Sequence, residues 1–388
     1  MGINLKTGHG GCGAVGQRDG ISPSKVAGGA ATALGGLGIW TPRYPSADML
    51  FAALFDDPPA DPLMSGVEPP AHDPADMWPQ MVQVISRSVR QWKVDCSGCP
   101  VIFATTKGDI RRTIGSVAQA RQPLPKLADD AVAMADACGL TGEVICISTA
   151  CASSLAALCE AQLLLAADAS IRRVAVITAD VASAFVRDGF ESLHALAGIG
   201  VRPFDQSRGG LLPGSAAAWC YLEHADESQG ELRLLGWGLA NDAAHLTAPD
   251  LQGRGLQAAI VEALASARKS PTDIDAIIAH GTGTAFSDAM EAKVFAELFP
   301  HRPPLAAVKG VLGHTLGASG LVELAIAREM LSRQQVPAVV GLNRSDYPGI
   351  NPVFEKPLRP PQTVQTVLKT ASGFGGINAA VIVGGGGA

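Results

Sequence analysis

The sequence predicts an α/β protein. Short apolar runs of strand length alternate with longer helical stretches along most of the chain. Hydrophobic residues make up 47% of the 388 residues and charged ones only 17%, which is enough for a large buried core. Glycine is abundant (44 residues) and aromatics are 5%, so small side chains let helices lie close on sheets.

Residues 1–29 are rich in Gly, Ser and Lys, have no apolar period, and read as a flexible extension. The first strand is expected at 31–39 (ATALGGLGI). The Pro- and Asp-rich stretch 56–76 reads as a long loop, followed by a helix around 77–91 and a strand at 100–105 (PVIFAT). Strand 143–148 (EVICIS) runs into a helix at 152–166 that is apolar almost all round and should be buried. A strand at 173–178 (RVAVIT) follows. A second half opens near Glu231 with the strand ELRLLGWGL, a helix at 256–268, a strand at 274–279 and a helix at 288–298. It continues with a strand at 305–309, a long helix at 317–331 and a closing strand pair around 373–376. The expected units are thus 30–230 and 231–388, two intimately packed halves.

Several classes are disfavoured. The net charge of −6 speaks against a nucleic-acid binder with a basic surface. No run of 18 apolar residues predicts a membrane span, and the N-terminus (MGINLKTGHGG) lacks the pattern of a signal peptide. The eight cysteines are irregularly spaced, as expected for reduced thiols and a cytoplasmic location. Cys96 and Cys99 form a CxxC, but it precedes a strand and has no second pair, so they read as free thiols rather than a zinc or redox motif. No metal is expected.

Cys151 lies where strand EVICIS meets the buried helix. Free N–H groups and the positive end of the helix dipole there would stabilise a thiolate, lower the thiol pKa and hold an oxyanion. A small buried residue before a core helix is the plain alternative, and Cys146 and Cys159 fit that role. His280 leaves its strand into a Gly/Thr loop (HGTGT), at the carboxyl edge where α/β folds bind ligands. Asp288 and Glu291 open the next helix, where acids compensate the dipole. Lys309 ends strand LAAVK, and His314 follows in a second Gly-rich loop. Two such histidines beside a helix-capped cysteine point to a common site.

These segments together resemble the β-ketoacyl-acyl-carrier-protein synthases, Cys-His-His ketosynthases of the thiolase superfamily. The resemblance is carried by TACASS around Cys151, RPFD at 202–205, HGTGT with Asp288 and Glu291, KGVLGHTLGASG at 309–320 with Glu323 after it, and GFGGINAA from Gly373. The motifs occur in the family's order and span roughly 30–385. The resemblance implies a thiolase-like five-layer αβαβα fold of two pseudo-repeated halves. It also implies decarboxylative Claisen condensation of an acyl group on Cys151 with malonyl carrier protein, elongating a fatty-acid, polyene or polyketide chain. In that family the residues matching His280 and His314 hydrogen-bond the malonyl thioester, and the lysine matching Lys309 supports the second histidine's environment. Thr282 and Thr284 match contacts to the phosphopantetheine arm. Phe374 matches the gate residue, and its N–H joins that of Cys151 in the oxyanion hole. Phe190 and Ile110 are expected at the gate and acyl pocket, with Asp288, Glu291 and Glu323 in support. The implied partners are acyl carrier protein and a second subunit, either a copy of this chain or a related ketosynthase or chain-length-factor subunit. No cofactor is implied beyond the carrier's pantetheine.

The chain departs from the family where residues 208–215 (RGGLLPGS) lack the usual acids, and where Thr106-Lys107-Gly108-Asp109-Ile110 replaces a Gly-rich loop. A thiolase would need a second cysteine near the C-terminus, and none follows Cys220. Acyl-CoA-using initiators carry Asn where this chain has a second His. Chain-length-factor-like subunits usually lack the nucleophile. Arg111, Arg112, Arg121 and Lys126 form a basic cluster that could meet an acidic carrier protein, or be a solvated helical face.

Overall fold

The computed structural model describes residues 3–5, 32–63, 74–225 and 232–385. In chain order the first half comprises β1 (Ile3–Leu5), β2 (Thr32–Trp40), α1 (Ala47–Phe51), α2 (Pro74–Val89), β3 (Val101–Ala104), α3 (Ile110–Ala118) and α4 (Leu127–Cys138). It ends with β4 (Val144–Ile147), α5 (Ser153–Ala167), β5 (Arg173–Asp180), α6 (Ala184–Ser192) and β6 (Ala216–His224). The second half contains β7 (Leu232–Asn241), α7 (Arg254–Ala267), β8 (Ala276–Ile278), α8 (Ala285–Leu298), β9 (Pro304–Ala306) and α9 (Lys309–Leu312). It closes with α10 (Ser319–Arg333), β10 (Asn351–Pro352), β11 (Thr366–Gly373) and β12 (Ile377–Gly385).

The strands form one continuous hydrogen-bonded array in the order β1-β4-β3-β5-β6-β2-β7-β12-β11-β8-β9-β10. It folds as two halves joined where β2 pairs with β7. Outward from that seam one half runs β2, β6, β5, β3, β4 and the other β7, β12, β11, β8, β9. In each half the two inner pairings are antiparallel and the two outer ones parallel. The two halves therefore repeat one topology.

Alternation of side chains along the strands builds the layers. Ile102, Val174 and Val176 from one half, and Ile278, Val367 and Val381 from the other, face a shared middle layer made by α5 and α10. The opposite face of the first half packs on α2 and α4, and that of the second on α7 and α8. The result is the five-layer αβαβα arrangement. Because α5 is covered by sheet on both sides, it has no polar face: Leu155, Leu158 and Leu165 are fully buried, each worth about 1.5–3 kcal/mol. Residues 150–167 are apolar enough by length and composition to cross a membrane, and are mostly buried in this layer.

Several sequence expectations change. Ile3–Leu5, read as part of a flexible extension, pair antiparallel with the edge strand β4; the rest of 1–29 lies outside the described residues. Lys309 does not end a strand: β9 stops at Ala306, and Lys309 opens the single turn α9. The strand β6 and the helices α3 and α4 were not anticipated.

Candidate active site

The parallel strands β3, β4 and β5 end in register, Ala104 beside Ile147 and Thr178. Ile278 of β8 likewise sits beside Ala306 of β9 and Lys369 of β11. The loops leaving these carboxyl ends carry the site.

Cys151 lies in the turn between β4 and α5. Ala150 before it has φ of +49°, a left-handed conformation unfavourable for a residue with a Cβ. The Ser153 hydroxyl holds the turn, accepting from the Thr149 N–H at 2.9 Å and donating to the Ala150 carbonyl at 2.6 Å. The Cys151 sulfur is 3.0 Å from His314 Nε2. Burial pushes the thiol up to about 12, although the Lys309 charge and the Phe374 N–H directed at the sulfur pull it down. The expectation that the helix end lowers this pKa is thus corrected. Desolvation dominates, and the Ala152 and Ser153 N–H groups are bound to the carbonyls of residues 149 and 150 within the turn.

The geometry fixes the tautomer of His314. Its Nδ1 accepts the Leu316 N–H at 3.2 Å, so in the neutral ring the proton sits on Nε2 and points at Cys151. His280 packs edge-on, ring centroids 5.2 Å apart. Burial, followed by the Lys309 charge, drives both imidazoles well below their ordinary pKa, so both are neutral at pH 7. The His314 N–H thus faces the sulfur, with a ring nitrogen of the neutral His280 within 4.8 Å of both.

Buried carboxyl groups and a buried lysine hold these loops. Glu291 accepts the N–H groups of His280 and Gly281, each at 2.7 Å, and the Thr370 hydroxyl at 3.1 Å. Asp288 accepts the N–H groups of Phe204 at 2.7 Å and Gly283 at 3.1 Å, tying HGTGT to RPFD; burial pushes its carboxyl up to about 7. Both acids are 0% exposed, so dipole compensation is not the role of Glu291; it lies a turn inside α8, beneath the loop. Lys309 pairs with Glu323 at 3.0 Å and bonds the carbonyl of His280, and it acts on His314 through its charge. The reason is local: from the start of α9 its side chain reaches back across β9 to the end of β8.

A cavity of about 380 Å³ opens onto Cys151, His280 and His314. Thr282 and Thr284 form part of its wall, their hydroxyls 2.8 Å apart. Phe190 and Phe374 also line it, ring centroids 5.8 Å apart. Ile110 does not: it opens α3, none of whose residues is buried, away from the cavity wall. In the basic cluster, Arg111 pairs with Asp109 at 2.7 Å and Arg112 with Asp130 at 2.5 Å. Half of that cluster's charge is thus met by the chain's own acids.

Sequence reading missed two groups. Asp180, at the end of β5, accepts from Thr105, Thr106, Lys107 and the Gly317 N–H, joining the loop after β3 to the start of α10. Lys369 of β11 is fully buried against Glu323. The signal for each was a charged residue at or in an apolar strand run, RVAVITAD and TVLKTA.

The Cys151, His280 and His314 ligand atoms lie within 4.8 Å of one another, close enough to share an ion. The proton that Leu316 fixes on His314 Nε2 suits donation to an oxygen instead.

Comparison with known proteins bears on the family and the fold. The N-terminal domain of β-ketoacyl synthases matches residues 120–228 and the C-terminal domain residues 232–343, together more than half of the chain. A 3-oxoacyl-[acyl-carrier-protein] synthase 2 of Mycobacterium leprae is 35% identical over 47% of this chain and 45% of its own length. The tetracenomycin polyketide synthase ketoacyl synthase alpha subunit of Streptomyces glaucescens is 30% identical over 63% of this chain and 61% of its own. The matched stretch thus spans about half to three-fifths of these relatives. Among solved structures, a β-ketoacyl synthase from Burkholderia phymatum superposes with a TM-score of 0.77 at 23% identity, covering 92% of this chain and 99% of that one. The ishigamide ketosynthase/chain length factor gives the same values, and both share the fold described above. The chain belongs to the β-ketoacyl synthase family.

Proposed function

We propose that this protein is a β-ketoacyl-acyl-carrier-protein synthase that joins an acyl group held on Cys151 to a malonyl thioester. The observation that carries the reading is the neutral His314 Nε2–H, 3.0 Å from the Cys151 sulfur, with His280 packed against the same ring. In the first step the Cys151 sulfur attacks the incoming thioester carbonyl. The oxyanion develops beside the Phe374 and Cys151 N–H groups, the carrier thiolate leaves, and the cysteine proton goes with it. In the second step the malonyl thioester enters past Thr282 and Thr284, and its carbonyl oxygen takes the N–H groups of His280 and His314. Carbon dioxide departs, the electron pair stays on the adjacent carbon as an enolate, and that carbon attacks the acyl-cysteine. The Cys151 sulfur leaves and is reprotonated.

The neutral imidazoles support this order of events. They stabilise an oxyanion already in position for it without the acidity that would quench the carbanion. Holding both thioesters in one cavity supplies the proximity that a short-lived carbanion requires. No metal or redox cofactor enters these steps. Acyl carrier protein is the proposed donor, in fatty-acid, polyene or polyketide elongation. The proposed partner is a second copy or a related ketosynthase or chain-length-factor subunit. A structural relative is described as a ketosynthase in complex with its chain length factor. A cytoplasmic location belongs to the same reading, with the seven described cysteines all free thiols.

The test is intact-mass measurement with hexanoyl-N-acetylcysteamine. The wild-type chain gains one acyl group and Cys151→Ala gains none. His280→Ala and His314→Ala keep acylation but lose malonyl decarboxylation by about 10²-fold or more. Acylation of Cys151→Ala would show that another residue is the nucleophile.

A further inference from the structure

We propose that Lys369 is a positioning residue for the condensing reaction, holding the end of β8 so that the His280 imidazole stays on the reacting oxygen; this rests on the function proposed above. Lys369 sits on β11 beside Ile278, its side chain wholly buried. Its Nζ meets Glu323 Oε2 and donates to the Ala279 carbonyl at 3.2 Å. From the other side Lys309 meets Glu323 Oε1 at 3.0 Å and donates to the His280 carbonyl. Two successive carbonyls are therefore gripped by two ammonium groups that share one carboxylate. Glu291 completes the clamp by accepting the N–H of His280.

His280 depends on this clamp in a way His314 does not. The His314 ring is oriented through Nδ1, which meets the Leu316 N–H and the Ser319 hydroxyl at 3.2 Å each. His280 Nδ1 is buried without a hydrogen-bond partner among the described residues. Its ring is aimed by its backbone and its packing alone, so a shift at residues 279–280 passes straight to Nε2. A misplacement of about 1 Å in a reacting arrangement costs on the order of 10²-fold in rate.

Lys309 and Lys369 together face two buried carboxylates, Glu323 and Glu291, so the pair of ammonium groups is matched in charge. What Lys369 adds is the bond to the Ala279 carbonyl. The charged and titratable groups facing it are Lys309 of α9, Glu323 of α10, Glu291 of α8, and the imidazoles of His280 and His314. Burial pulls its ammonium down to about 8, against the pull of Glu323 in the other direction.

The experiment compares the whole chain with Lys369→Met, which should fold because Lys309 and Glu323 remain paired. Hexanoyl-N-acetylcysteamine reports Cys151 acylation, and malonyl-N-acetylcysteamine reports decarboxylation. Acylation should stay within about threefold of wild type, while kcat for carbon dioxide release falls about tenfold or more at unchanged KM. The wild-type decarboxylation profile should also show a limb near pH 8 that Lys369→Met lacks. Equal loss of both activities, in step with loss of folded protein, would make Lys369 merely structural and overturn the proposal. So would a variant that decarboxylates like wild type. A wild-type chain that is neither acylated nor decarboxylating overturns the proposed function, and this role with it.

Discussion

Replacing Glu323 with Gln removes the carboxylate that two buried lysines share, leaving Lys309 and Lys369 facing each other without it. All three side chains are at most 2% exposed, so water cannot take over. At an effective dielectric of about 20, charges 3.0 Å apart, as Lys309 and Glu323 are, attract by about 5 kcal/mol. Measured losses on breaking buried pairs run to about 3–5 kcal/mol. With Glu291 left as the one buried carboxylate facing both ammonium groups, Glu323→Gln should destabilise the protein by about 3–5 kcal/mol at pH 7. Urea unfolding followed by the fluorescence of the five tryptophans reads this as a lower midpoint. Adding Lys369→Met removes one stranded charge and should restore about 2 kcal/mol, whereas Lys369→Met alone should be near neutral. The pH dependence has a definite sign. A buried lysine whose folded pKa is depressed is costly while charged, and that cost fades as pH rises through the folded pKa toward the unfolded value near 10.4. The penalty of Glu323→Gln should therefore shrink as pH rises toward about 8, where Lys369 of the wild type itself loses its proton, and level off above that. A loss under about 1 kcal/mol, or one that Lys369→Met leaves unchanged, would refute the shared-carboxylate account.

Two further outcomes follow from the site. A Cβ at Gly373 would sit 3.1 Å from the Thr149 carbonyl and 3.2 Å from the Cys151 N–H. Gly373→Ala should thus displace the oxyanion donor and lower kcat about tenfold or more while thermal stability drops only slightly; unchanged kcat would remove this N–H from the mechanism. With its thiol pushed up to about 12, Cys151 should react with iodoacetamide about tenfold faster per pH unit from about pH 7 to pH 9. A plateau below about pH 8 would mean that the helix end outweighs burial.

The alternation of apolar runs and helical stretches made the α/β class legible, and the uniformly apolar stretch at 152–166 made its central helix legible as well. Cys151, His280 and His314 were legible because each follows a strand into a small-residue loop, a local pattern. Other features were not. The strand β6 reads Ala-Ala-Ala-Trp-Cys-Tyr, with too little β-branched character to stand out. The helix α3 has a polar, largely exposed face and no buried residue. Ile110 was assigned to the pocket by resemblance, whereas the loop before it is pinned through the Asp180 network and turns the chain into α3.

The amino-acid order set which residues could act, because strand ends, glycine turns and a capped helix are written in neighbouring positions. It could not set which of them meet. Cys151 and His314 are separated by 163 positions and brought to 3.0 Å only because α5 and α10 share the middle layer. The thiol named as nucleophile is raised rather than lowered because burial is a property of the whole packing. Lys369 acquires its bonds to Glu323 and the Ala279 carbonyl only once β11 lies beside β8, since a charge in a strand finds its partner across the sheet and not along the chain.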